Sequence, residues 1–97
     1  MTKSAELDYL FEAILTMQSV DECYRFFEDV CTIKELQSMA QRMQVAKQLS
    51  ANKNYIQVYE DTGVSSATIS RVNKCLQYGS GGYKIALERL SGGTQDE

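Results

Sequence analysis

Residues 61–77 read DTGVSSATISRVNKCLQ, and they contain the clearest local signal in the chain. A single glycine, Gly63, separates two short segments with helical spacing, near residues 55–61 and 66–77. Glycine allows a sharp turn between two helices because it adopts positive φ without steric cost. Four aliphatic residues stand where they would pin one helix across the other: Val58, Val64, Ile69 and Val72. This pattern predicts a helix-turn-helix unit.

The outward side of the second predicted helix is small, hydroxylated and basic. Its residues are Ser65, Ser66, Ala67, Thr68, Ser70, Arg71 and Lys74. Small side chains let a helix approach base edges, hydroxyl groups hydrogen-bond to bases or phosphates, and basic groups neutralise phosphates. A plain helical hairpin with a solvated hydroxyl face fits the pattern as well, since bulky Tyr59 stands where such units usually have alanine or glycine. DNA binding and a structural hairpin are therefore both open on this pattern alone.

Apolar residues recur at helical spacing along the rest of the chain, which predicts an all-α fold with six helices. The first spans about residues 5–17, the third about 33–51 and the last 83–90. Capping boxes, in which a hydroxyl residue and a glutamate satisfy free amides reciprocally, precede the second and third helices at Ser19–Glu22 and Thr32–Glu35. Asn54 is expected to cap the helix at 55–61. Residues 1–90 form one predicted domain, and residues 91–97 form a predicted disordered tail.

Composition argues against several classes of protein. The 97 residues contain no histidine, which removes Ser-His-Asp and Cys-His nucleophile systems and the usual zinc sites. We therefore expect no enzymatic activity, no metal and no cofactor. The cysteines Cys23, Cys31 and Cys75 have no C-x-x-C spacing, so reduced thiols are favoured over a disulfide or redox switch. No stretch reaches the ~18 apolar residues of a spanning helix, so we expect a cytoplasmic protein without a membrane partner.

The net charge of −3 hides an uneven distribution. Residues 1–41 carry three basic and eight acidic side chains, whereas residues 42–78 carry five basic and two acidic ones. A polyanion would dock on the middle of the chain and be repelled by the first part. An uneven surface without any nucleic-acid partner is the open alternative on charge alone.

Residues 31–78 resemble the Trp repressor family. The segment CTIKELQSMAQRMQVAKQLSAN, residues 31–52, is similar to the family's helix that leads into its DNA-binding unit. Residues 67–71, ATISR, reproduce the A-T-I-[ST]-R string of the family's recognition element without a gap. A likeness to the YerC/YecD-type Trp-repressor-related proteins of Gram-positive bacteria extends over nearly the whole chain.

This resemblance implies an intertwined homodimer. Residues 5–51 would supply the dimerisation helices, residues 55–77 the helix-turn-helix unit and residues 83–90 the C-terminal helix. Dimers of this type bind two half-sites of a pseudo-palindromic duplex about one helical turn apart. The predicted function is accordingly a sequence-specific DNA-binding transcriptional regulator, most simply a repressor that occludes its operator. The alternative is a dimeric adaptor that uses the same helical fold to bind protein, which the overall acidity favours.

The resemblance also implies where a small corepressor would bind. In the family an indole lies between two arginines, and a threonine at the start of the long helix adds a hydrogen bond; the matching residues are Thr32, Arg42 and Arg71. Val72 stands where tryptophan-binding members have glycine, and Cys75 where they have serine. Overpacking by a valine costs roughly 1–3 kcal/mol, and a lost hydroxyl about 0.5–1.5 kcal/mol. We therefore expect that L-tryptophan is not the corepressor and that Val72 fills the pocket itself. Arg42 also has a structural interpretation, as a surface arginine paired with Glu35 or Glu60.

Overall fold

A computed structural model describes residues 1–92 of the chain. All regular structure in these residues is helical. The six helices are α1 Ala5–Leu15, α2 Val20–Val30, α3 Ile33–Ser50, α4 Tyr55–Thr62, α5 Ser66–Tyr78 and α6 Gly82–Leu90. The predicted all-α class is thereby confirmed. The predicted disordered tail at 91–97 lies outside the described residues from residue 93 onward.

Five helix ends differ from their predicted positions by one or two residues, among them α3, which ends at Ser50, and α4, which ends at Thr62. α1 ends at Leu15, because the amide and the hydroxyl of Thr16 both donate to the Ala13 carbonyl oxygen, at 3.1 and 2.6 Å. α5 continues one residue further than expected, to Tyr78. α6 begins one residue earlier, at Gly82, because Gly81 provides the preceding turn with a φ of 90°.

Reciprocal side-chain caps begin α3 and α4. The Thr32 hydroxyl accepts from the Glu35 amide at 3.1 Å, and the Glu35 carboxylate accepts from the Thr32 amide at 2.8 Å. This confirms the predicted capping box. Asn54 Oδ1 accepts from the Gln57 amide at 2.9 Å, and Gln57 Oε1 accepts from the Asn54 amide at 3.0 Å. The sequence predicted Asn54 as a cap but missed its glutamine partner.

Only one of the two hydrogen bonds predicted for the capping box of α2 forms. The Ser19 hydroxyl accepts from the Glu22 amide at 3.0 Å, as expected. The Glu22 carboxylate, however, accepts from the amide of Gln18 at 2.8 Å instead of that of Ser19. The side chain reaches one residue further back, to an amide that precedes the helix.

Removal of the α4 cap has a measurable expected cost. We expect Asn54→Ala to lower the free energy of unfolding by about 1 kcal/mol, because the Gln57 amide loses its acceptor. Urea denaturation of the two proteins measures the difference. Glu60→Ala, on the exposed side of the same helix, is the control and should change stability by less than about 0.5 kcal/mol. Equal stability of Asn54→Ala and the control would contradict the role of the cap.

The chain forms two compact units, residues 1–36 and residues from 37 onward. The buried core belongs to the second unit and consists of Val45, Ala46, Val58, Val64, Ile69 and Val72. Leu49, Leu76, Tyr83 and Leu87 pack against it and are partly buried. The core therefore joins the second half of α3 to α4, α5 and α6.

The first unit exposes much of its apolar surface. Neither α1 nor α2 contains a buried residue. Large exposed apolar side chains in residues 1–36 include Tyr9, Leu15, Val20, Tyr24 and Ile33. Within α2, the rings of Phe26 and Phe27 pack edge to face with centroids 5.3 Å apart.

The three cysteines are free thiols. Cys23 lies on α2 and Cys31 is the residue that caps its C-terminal end. Eight residues of helix span about 12 Å, whereas a disulfide requires Cα atoms within about 7 Å. A disulfide between these two cysteines in one chain is therefore excluded.

Candidate nucleic-acid interface

The turn between α4 and α5 is fixed by one glycine and one threonine. Gly63 ends α4 in the left-handed region with a φ of 72°, and its amide donates to the Tyr59 carbonyl oxygen at 2.8 Å. The Thr62 hydroxyl donates to the Val58 carbonyl oxygen at 2.7 Å and accepts from the Val64 amide at 3.2 Å. Gly63 was predicted, but Thr62 was missed, because a threonine before a glycine gives no sign of which carbonyl it will contact.

The four predicted aliphatic residues pack as a helix-turn-helix requires. Val58 and Ile69 are fully buried, and Val64 and Val72 are nearly so. Val58 comes from α4, Val64 from the turn, and the other two from α5. The pattern of residues 61–77 therefore produces the predicted crossing of two helices over a short turn.

Hydrogen bonds at the start of α5 divide the predicted contact residues into two groups. The Ser65 hydroxyl accepts from the Thr68 amide at 3.3 Å and lies 3.2 Å from the Thr68 hydroxyl, to which it donates. Thr68 is half-buried. Ser66, Ala67 and Ser70 are exposed, and their side chains make no hydrogen bond to residues 1–92. The first pair fixes the helix start, and the second group is free for contact.

Basic side chains continue this exposed surface toward the C-terminal end of α5. Arg71 and Lys74 are both exposed and follow Ser66, Ala67 and Ser70 on the same side of the helix. Every predicted contact residue except Thr68 is exposed. The arrangement offers small groups at one end and positive charge further along, which suits a helix whose first turn enters a groove between phosphates.

Lys53 is paired with an acid and is not a free basic side chain. Its ammonium group forms a salt bridge with Asp61 at 3.1 Å. Both groups are well exposed, so the pair adds little stability, typically 0–1 kcal/mol. Asp61 is one of the two acidic side chains already counted in residues 42–78, so the pair leaves the net charge of that stretch unchanged and engages one of its five basic side chains. The eight-residue separation gives no sequence signal for this pair.

The predicted ligand-pocket residues do not all line a cavity in the second unit. Val72 is 2% exposed and is part of the core. Cys75 is exposed and lines a groove of about 410 Å³ with Met43, Tyr83 and the loop at residues 79–82, but neither Arg42 nor Arg71 lines that groove. Arg71 is exposed on α5. Thr32 serves as the N-cap of α3.

Arg42 has a local partner on its own helix. Its Nη1 atom donates to the Ser38 hydroxyl at 3.2 Å, one turn earlier on α3. The structural interpretation that paired Arg42 with Glu35 or Glu60 is wrong, because the guanidinium group points toward a serine one turn away instead. Arg42 is only half-buried, so part of it stays open to solvent.

Among residues 1–92, no group of three or more histidine, cysteine, aspartate or glutamate side chains could hold a metal ion. No helix in this part of the chain is both long and apolar enough to cross a membrane.

Comparison with known proteins assigns this arrangement to a family. The family model for the Trp repressor protein matches residues 5–91. The chain belongs to the Trp repressor family. YerC of Bacillus subtilis (strain 168), an uncharacterized protein, is 50% identical over 88 residues, which cover 91% of this chain and 85% of YerC.

Two solved structures confirm the Trp-repressor-like fold. A TrpR-like protein from Eubacterium eligens ATCC 27750 is 48% identical and superposes with a TM-score of 0.88, over 98% of this chain and 96% of that one. A candidate Trp repressor from Staphylococcus aureus is 46% identical with a TM-score of 0.88, over 92% of this chain and 89% of that one. The resemblance inferred from residues 31–78 is therefore confirmed and extends over nearly the whole chain.

Proposed function

We propose that this member of the Trp repressor family is a sequence-specific DNA-binding transcriptional regulator that represses by occluding a pseudo-palindromic operator. The observation that carries the proposal is the exposed face at the start of α5, which presents small, hydroxylated and basic side chains on a helix-turn-helix unit. No catalytic role is proposed for any residue.

The division of hydroxyl groups at the start of α5 refines which residues would read sequence. Ser66, Ala67 and Ser70 would face base edges in the major groove or the waters bound there. Ser65 and Thr68 would set the position of that helix, because each hydroxyl is engaged with the other. Arg71 and Lys74 would contact phosphates, which fix register and supply affinity without carrying sequence information.

A homodimer is part of the proposal. The exposed apolar side chains of residues 1–36 are more than a soluble monomer usually leaves uncovered, and a second copy would bury them. Residues 1–41 also carry the acidic excess, which suits a dimer body held away from DNA. The two helix-turn-helix units would then address half-sites ~34–36 Å apart. We propose that the protein acts in the cytoplasm, where it would meet its operator DNA.

The charge distribution supports a second candidate function. The net charge is −3, and the Lys53–Asp61 salt bridge leaves one fewer basic side chain free near the helix-turn-helix unit. A dimeric adaptor that binds another protein through the same helices would be compatible with both. DNA binding remains preferred because an adaptor does not explain a run of small and basic residues on one exposed helix face.

The dependence of affinity on salt separates the two candidates. Fluorescence anisotropy with labelled genomic duplexes, repeated over a range of potassium chloride concentrations, gives the slope of log K against log salt. A protein that contacts Z phosphates gives a slope of about −0.9Z, so a steep negative slope supports DNA binding. Absence of binding at low salt would overturn the proposal in favour of the adaptor.

L-tryptophan is expected to leave DNA affinity unchanged within about twofold. Val72 is buried in the core at the position where tryptophan-binding members of the family have glycine, so we expect its side chain to occupy space that an indole would need. Anisotropy titrations with and without the amino acid measure the effect. D-tryptophan is the matched control for nonspecific effects. Tightening of tenfold or more by the L-enantiomer alone would show that the pocket is open.

A further inference from the structure

The exposed face of α5 continues beyond the residues assigned to DNA contact. Seven residues share it, at spacings that place them on one side of a helix: Ser66, Ala67, Ser70, Arg71, Lys74, Gln77 and Tyr78. The opposite side carries Ile69 and Val72 in the core. Tyr78 is the last helical residue and is 82% exposed. Its hydroxyl makes no hydrogen bond to residues 1–92.

We propose that Tyr78 anchors a DNA phosphate and extends the contact face of α5 beyond Arg71 and Lys74. This inference rests on the proposed function, because it assumes that the first turn of α5 enters the major groove. It adds a residue that neither the helix-turn-helix pattern nor the basic residues identify.

The length of α5 places Tyr78 at the edge of the groove. Tyr78 follows Ser66 by twelve residues, which corresponds to about 18 Å of helix. The major groove is only about 12 Å wide. A helix that inserts its first turn and runs at an angle to the groove therefore carries its last turn across or beyond a flanking strand, where phosphates are the groups within reach.

The chemistry of the side chain suits that position. A tyrosine hydroxyl is among the groups that donate hydrogen bonds to phosphate oxygens in protein–DNA complexes. Tyr78 lies four residues after Lys74 and seven after Arg71, so the three side chains form one row along the helix. The two cations would neutralise phosphates, and the neutral phenol would fix the distance and direction of the strand beside them.

The test compares Tyr78→Phe with wild type on the tightest-binding duplex recovered from genomic fragments. Tyr59→Phe, which removes an exposed hydroxyl from α4, is the matched control. We expect Tyr78→Phe to weaken binding by about tenfold for the two contacts of a dimer, and Tyr59→Phe to bind as wild type. The salt slope should not change, because a neutral donor releases no counterion.

Three outcomes would overturn the inference, and they differ from one another. Equal affinity of Tyr78→Phe and wild type removes the anchor while leaving DNA binding intact. A shallower salt slope in Tyr78→Phe would assign the effect to displaced charges instead of a lost hydroxyl. Failure of wild type to bind any duplex removes the proposed function and this inference with it.

Discussion

Replacement of Ile69 with alanine should lower the free energy of unfolding by about 3 kcal/mol. Ile69 is fully buried and lies on α5 in the core that joins this helix to α3 and α4. Loss of three carbons from a packed site removes their burial and leaves a cavity, and such substitutions cost about 2–5 kcal/mol. Small domains are stable by only about 5–15 kcal/mol, so the change is a large part of the total.

Urea denaturation at one fixed protein concentration measures this effect, because the stability of a dimer depends on concentration. Ser70→Ala is the control, since it changes the next residue of α5 on the exposed side. It should alter stability by less than about 0.5 kcal/mol. A loss below about 1 kcal/mol for Ile69→Ala would contradict the packing of α5 in the core.

The double substitution Arg71→Ala and Lys74→Ala should weaken DNA binding by at least about 100-fold at moderate salt. Both cations lie on the exposed face of α5, and a dimer would lose four phosphate contacts. The slope of log K against log salt should become shallower by about 3–4, at about 0.9 for each phosphate contact. All sequences should lose affinity to a similar extent, because phosphate contacts do not read bases.

Lys3→Ala with Lys34→Ala is the matched control for charge. It removes the same number of positive charges, but from residues 1–36, where neither lysine belongs to the helix-turn-helix unit. The control should keep the wild-type slope. If both double variants reduced the slope equally, net charge would explain binding and the assigned face would be wrong.

Local rules in the sequence predicted most of the fold. Thr32 and Glu35 form the capping box that their spacing indicated, and Gly63 takes the left-handed conformation that a turn between two helices needs. The aliphatic residues around that glycine are all buried. These features depend on contacts between residues close in the chain, which is why spacing alone was sufficient.

The features that the sequence left open depend on which of several partners a side chain takes. The sequence offered Ser65 both as a cap of the fifth helix and as a contact with DNA, and its hydroxyl is engaged at the helix start with Thr68. Lys53 counts among the five basic side chains of residues 42–78, but its ammonium group pairs with Asp61. In each case a polar side chain has several possible partners, and only the folded geometry decides which one it contacts.

The predicted ligand-pocket residues also show what sequence patterns alone do not determine. Val72 was predicted from the family resemblance to obstruct an indole; it is buried in the core, and the obstruction itself stays a prediction. Cys75, in contrast, lines an open groove beside the loop at residues 79–82, which the family pattern did not indicate. A change from serine to cysteine predicts a lost hydroxyl but not where the sulfur will lie.

Selection of genomic duplex fragments by the purified wild-type protein, without added tryptophan, tests the central claim most directly. The Arg71→Ala and Lys74→Ala double variant is selected in parallel to show that recovery of DNA depends on α5. The account predicts enrichment of a two-fold-symmetric sequence by wild type and far lower recovery of that sequence by the variant, because phosphate contacts supply affinity without reading bases. Absence of enrichment by wild type, or recovery of the sequence by the variant at the wild-type yield, would contradict it.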